Sequence, residues 1–216
     1  MAISTKTLLS ALLSGPLFAL SLPPFNDEWL GWGAFMPLLL AANGRRPLEA
    51  LGLGMLAGAF CGVVSAGWYH DTARLFWAYI PFLWLAFLFS TVALAAVQAL
   101  KLESPLARTV FVASVGVGGE WLTSFLPRPL NIALCQYQNI AVIQIASFAD
   151  IWGVSFLVWA VNAALAEAVQ QRKLVPLGVS IALVVVSLTY RLFQTSQTEA
   201  AHVPKITVAA VQDLVS

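Results

Sequence analysis

In a 216-residue chain that is 60% hydrophobic and 10% charged, with a mean hydropathy of +0.83, there is too little polar surface to clothe a water-soluble core. Lipid must be the solvent for most of it. A formal net charge of +1 gives no basic footprint for nucleic acid, and the two cysteines, Cys61 and Cys135, have neither CxxC nor zinc-ligand spacing.

Apolar runs cover 7–22, 29–43, 48–69, 75–100, 106–126, 150–170 and 174–193. Most approach the roughly 20 residues a helix needs to cross the hydrocarbon core. The loops test this independently. With the amino terminus inside, the inner segments hold Lys6, Arg45, Arg46, Lys101, Arg108, Arg172 and Lys173, seven of the eleven basic residues, whereas the outer loops between helices hold only Arg74 and Arg128. That is the bias of the positive-inside rule. The pattern predicts an all-α polytopic membrane protein with seven transmembrane helices, a cytoplasmic amino terminus and the carboxyl end outside.

Taken in order, the first run ends in Pro23-Pro24 without a small-x-small cleavage site, so it reads as a retained helix rather than a cleaved signal peptide. Trp29 and Trp32 stand where an interfacial aromatic belt belongs, and Pro37 is expected to kink the second span. Gly54, Gly58 and Gly62 recur every four residues on one face of the third, spacing that lets helix backbones approach closely. The fourth is rich in large rings, among them Trp77, Tyr79, Trp84, Phe87 and Phe89. These read as lipid-facing bulk before they read as an acyl-chain entrance. His70 and Asp71 are ordinary loop polar residues or contacts to headgroups.

Four polar side chains are candidates for function: Glu120, Gln136, Gln144 and Asn162. Glu120 is ionisable within a membrane segment, where charge is costly and function is the default reading, though it stands close enough to the outer loop for a structural role to weigh equally. Asn162 is a mid-membrane amide of the kind that glues helices. Gln136 and Gln144 fall in 127–149, a mixture of amides, proline and apolar residues that suits a structured loop or re-entrant segment buried against protein. Beyond 193 the chain turns polar over 194–204, then reads as a strand buried on both faces at 205–212. A lone strand has no independent stability. The division is therefore a helical domain (1–193), a linker (194–204) and the opening strand of a further domain (205–216), with the chain stopping as that domain begins.

Several segments together resemble the bacterial apolipoprotein N-acyltransferases: Leu20-Ser21-Leu22-Pro23-Pro24-Phe25 with Leu30-Gly31-Trp32 and Met36-Pro37-Leu38; Glu120-Trp121-Leu122; Gln136, Ile143-Gln144-Ile145-Ala146 and Trp152-Gly153-Val154-Ser155-Phe156; Val161-Asn162-Ala163; and Val208-Ala209-Ala210-Val211-Gln212. Thr123 stands where that family commonly has arginine, and Leu126-Pro127-Arg128-Pro129 replaces its Phe-Pro-Trp. The resemblance implies a multi-pass protein of the bacterial inner membrane carrying an α/β nitrilase-like domain on its outer side. It implies acyl transfer from a phospholipid donor to the amino-terminal cysteine of a lipoprotein acceptor, with membrane lipid as a further partner, no nucleic acid and no cofactor. Its Cys nucleophile, Glu base and Lys are expected beyond Ser216, so no catalytic residue is assigned on this chain and the chain alone is expected to be inactive. The alternatives are a non-enzymatic membrane scaffold and, with less behind it, a small transporter, for which Glu120 and Arg191 offer few intramembrane charges and no repeat is visible.

Overall fold

The computed structural model describes residues 3–69, 75–125 and 131–200, with side chains outside 66–81 and 191–200. Every element among them is helical: α1 (Thr5–Ser21), α2 (Glu28–Gly31), α3 (Met36–Ala42), α4 (Pro47–Tyr69), α5 (Leu75–Ala99), α6 (Pro105–Thr123), a 3-10 helix (Ile132–Gln136), α7 (Ile140–Ile143), α8 (Ala146–Gln171) and α9 (Val175–Ala200). Among the described residues, three stretches are long and apolar enough to cross a membrane, Pro47–Ser65, Phe82–Ala99 and Ala146–Gln171. The strand expected at 205–212 and the loop residues His70, Asp71 and Arg128 lie outside the described residues.

Two expectations change. The run 29–43 is not one kinked helix but two short ones, α2 and α3, parted by a turn over 32–35. Pro37 sits in the first turn of α3 rather than inside a span, a position where its missing N–H would be unsatisfied in any case. At the other end, α9 continues to Ala200 through most of the stretch read as linker. Residues 191–200 contain neither Gly nor Pro to stop it.

The α1 helix starts from a Ser4 cap, whose Oγ accepts from Thr7 N–H at 3.2 Å, and α6 from Ser104 followed by Pro105. The small residues of α4 fit their neighbours closely. A Cβ on Gly54 would lie 2.5 Å from Phe89 O and Ser90 Cα of α5, and one on Gly15 of α1 would lie 2.6 Å from Ala57 O of α4. Backbone-to-backbone packing of this kind is what associates helices where lipid offers no hydrophobic drive. The centre is aromatic: the Phe35 ring lies 5.1, 4.5 and 4.3 Å from those of Phe18, Phe89 and Trp159. Outward-facing Leu9, Leu13, Met55, Leu56, Phe60, Val63, Leu83, Phe87, Ile181, Val185 and Val186 remain exposed. So large an apolar belt suits lipid, not water.

Side-chain contacts sort the two ends. Arg45 Nη2 donates to Thr7 at 2.9 Å, Gln170 Nε2 to Leu39 O at 3.3 Å, and Arg108 pairs with Glu167, gathering the basic segments at one end. At the far end the Tyr137 hydroxyl bonds Asn26 Oδ1 at 3.1 Å, tying the 131–145 segment to the first hairpin.

Candidate functional site

Near the far end, α6 delivers Glu120 into the core with no exposed surface. Three donors converge on its carboxyl: the Trp159 indole N–H (2.8 Å) and the Ile132 backbone N–H (3.0 Å) on Oε1, and the Ser155 hydroxyl (2.6 Å) on Oε2. Glycine makes the approach feasible, because a Cβ on Gly116, one turn before Glu120, would collide with the Trp159 ring. The carboxyl thus joins α6, α8 and the first residue of the 3-10 helix.

Asn162, a turn beyond Trp159, closes the break between α2 and α3. Its Oδ1 accepts from Phe35 N–H at 2.8 Å, and its Nδ2 donates to Gly31 O at 2.9 Å and Val158 O at 3.0 Å. A primary amide offers both donor and acceptor, which is what an interrupted backbone in a buried setting lacks. From α1, Ser14 Oγ accepts from Leu38 N–H (2.9 Å) and Ser10 Oγ donates to Pro37 O (3.0 Å). These two bonds complete the satisfaction of the first turn of α3.

Gln136, also fully buried, ends the 3-10 helix. Its Nε2 donates to Glu28 O at 2.8 Å, and its Oε1 accepts from Asn139 Nδ2 at 3.4 Å. Three of the four candidates are therefore linked: Glu120 holds the start of the 3-10 helix, Gln136 holds its end to α2, and Asn162 holds the far side of α2. Gln144 stands apart. It is half-buried, and its contribution is a backbone carbonyl that accepts from the Ser147 hydroxyl at 2.8 Å. The sequence reading passed over Ser155 and Trp159. Their signal was present, since 155, 159 and 162 recur at i, i+4 and i+7, a polar stripe on one face of an otherwise apolar helix.

Cys135 is buried under the α2 backbone, with Gln136 Nε2 at 3.4 Å from its sulfur; a Cβ on Gly31 would run into Sγ. The 3-10 helix lies outside the helices read as spans, and burial there pushes the thiol up to about 12, with the nearby carboxyls of Glu120 and Glu28 adding to the rise against the opposing Gln136 hydrogen bond. Nucleophilic thiols need the reverse setting. At pH 8, N-ethylmaleimide is expected to leave Cys135 of the folded protein unmodified and to label it once the protein is unfolded, as read by peptide mass mapping. Rapid labelling of the folded form would contradict this burial.

No group of three His, Cys, Asp or Glu side chains gathers as a metal site among the described residues. The arrangement is a buried set of hydrogen bonds that fixes backbone; the Ser155 hydroxyl beside the Glu120 carboxyl is itself fully buried.

Residues 14–164 match the family model described as the apolipoprotein N-acyltransferase N-terminal domain, a range that holds all four candidates. An apolipoprotein N-acyltransferase of Geobacter metallireducens is 32% identical over 178 residues, covering 76% of this chain and 34% of the relative. The chain thus spans about a third of that relative's length. A family match over more than half of the chain, together with that relative, settles the assignment: this chain belongs to the apolipoprotein N-acyltransferase family, as its N-terminal domain.

Proposed function

We propose that this chain is the membrane part of an enzyme that moves an acyl chain from a phospholipid to the amino-terminal cysteine of lipoproteins. In this reading seven helices cross the bacterial inner membrane, the basic end faces the cytoplasm, and the chain beyond α9 continues outside as a nitrilase-like catalytic domain. The bundle holds that domain at the outer surface and gives lipid access to it. One observation carries the assignment of chemistry to another domain. The Glu120 carboxyl is fully buried and takes three donors from the protein itself, which suits a brace rather than a group open to a substrate. The same closure weighs against the transporter reading, which needs an ionisable group open to a pathway.

Two measurements test this. Inactivating the gene in its source cell is expected to leave lipoproteins lighter by one acyl group, with a reactive amino-terminal amine, as read by intact-mass spectrometry; fully acylated lipoproteins would overturn the assignment. Purified 1–216, supplied with phospholipid and a peptide bearing an amino-terminal cysteine, is expected to transfer nothing. Acyl transfer by it would return the catalytic residues to this chain.

A further inference from the structure

At the basic end, α3, α5, α6 and α8 leave a cleft of about 30 Å³ that contains a buried ion pair. Arg108 Nη1 lies 3.7 Å from Glu167 Oε2, and the two side chains are only 13% and 10% exposed. That separation is too long for a hydrogen bond, and neither atom has a hydrogen-bond partner elsewhere in the protein. Arg108 Nε is already committed to Leu102 O at 2.7 Å. A buried donor and a buried acceptor left unmatched each carry a desolvation cost. The pair therefore suits a group that accepts from Arg108 and donates to Glu167.

The rest of the lining says what kind of group. Asn43, Leu100 and Gln170 also border the cleft, and each is followed within three residues by basic side chains: Arg45 and Arg46, Lys101, and Arg172 and Lys173. Lys101, Arg46, Arg172 and Lys173 are exposed. Five cations on three flanking segments favour a phosphate close by, as basic pockets between membrane helices do. A trimethylammonium would bring Glu167 no hydrogen-bond donor, whereas an ammonium or a hydroxyl would.

We propose that this cleft seats the headgroup of a glycerophospholipid with its own hydrogen-bond donor, of the phosphoethanolamine or phosphoglycerol type. The terminal ammonium or hydroxyl donates to Glu167, a headgroup oxygen accepts from Arg108, and the phosphate rests among the flanking cations. The inference requires that the bundle be embedded in lipid; it does not require the acyltransferase reading, and its test contains no acyl transfer.

The test reconstitutes the whole chain in phosphatidylcholine nanodiscs doped with phosphatidylethanolamine or phosphatidylglycerol, and reads lipids retained after release by native mass spectrometry. A charge-assisted hydrogen bond corresponds to about a tenfold preference for either doped lipid over phosphatidylcholine. The double variant Arg108→Met/Glu167→Met removes both charges at similar volume, so that no lone charge is left buried; it is expected to lose the preference. Equal retention of phosphatidylcholine by the unaltered chain would overturn the proposal, as would a preference that survives in the double variant. If that variant does not fold, the lipid ratio of the unaltered chain decides alone. Displacement of the retained lipid by an equal concentration of soluble phosphoethanolamine would mark a small-molecule site and overturn the assignment to lipid.

Discussion

Replacing Glu120 by alanine is expected to destabilise the folded domain by roughly 2–6 kcal/mol, the cost of orphaning two buried N–H donors at about 1–3 kcal/mol each. The donors are Trp159 Nε1 and Ile132 N, both within 3.0 Å of Oε1. The Ser155 hydroxyl, by contrast, can turn to a carbonyl one helical turn back. Denaturant titration of the reconstituted protein with SDS, followed by tryptophan fluorescence, reads the change. Glutamine at the same position separates shape from charge. Its one carbonyl oxygen replaces Oε1 and keeps both N–H partners, while its NH₂ replaces Oε2 and faces Ser155 Oγ, which then becomes the acceptor. Glu120→Gln is therefore expected to keep most of the stability that Glu120→Ala loses. Equal damage from both would show that the negative charge is required, and an undamaged Glu120→Ala would show that the bracket holds nothing. The effect is also directional. Because Ile132 begins the 3-10 helix that Gln136 pins to α2, the alanine variant is expected to loosen Cys135 as well, and its maleimide labelling to rise while Glu120→Gln stays protected.

The sequence made some of this bracket legible and hid the rest for a physical reason. A carboxylate inside an apolar run is conspicuous because its burial is costly, and Asn162 stood out as an amide among Val158-Trp159-Ala160-Val161. The small-residue spacing of α4 and the sidedness of the basic residues were equally plain, since both follow from local periodicity. The partners were not. Ser155 and Trp159 are unremarkable residues until α6 is laid across α8, and the role of Asn162 required knowing that α2 and α3 are separate. Composition saw 29–43 as one apolar run, because a turn whose backbone is satisfied by side chains from α1 and α8 needs no polar residues of its own. Arg108 and Glu167 were legible only as inner-side charges. Their pairing is a fact of three dimensions, 59 positions apart along the chain by subtraction of their residue numbers.

Alanine at Gly58 is expected to harm the fold through a single added methyl. A Cβ there would collide with the Leu85 carbonyl oxygen and lie 2.6 Å from Leu85 C and 2.7 Å from Ala86 Cα. All three are backbone atoms, so no rotamer change relieves the clash, and α4 and α5 must move apart. Overpacking of this kind costs about 1–3 kcal/mol, and here it also strains the Ser90 Oγ–Leu51 O bond of 3.1 Å that ties the same two helices. Gly52, six residues earlier on the same helix, supplies the control: nothing lies within 4 Å of its Cβ position. Gly52→Ala should therefore be neutral or stabilising by up to about 1 kcal/mol, through helix propensity alone. The two substitutions add the same methyl to the same helix and differ only in what it meets. Opposite signs in the SDS titration would locate the stability of this pair in the contact of glycine with backbone. Matching values would mean that α4 and α5 tolerate separation, and that the stripe of Gly54, Gly58 and Gly62 is not what holds them.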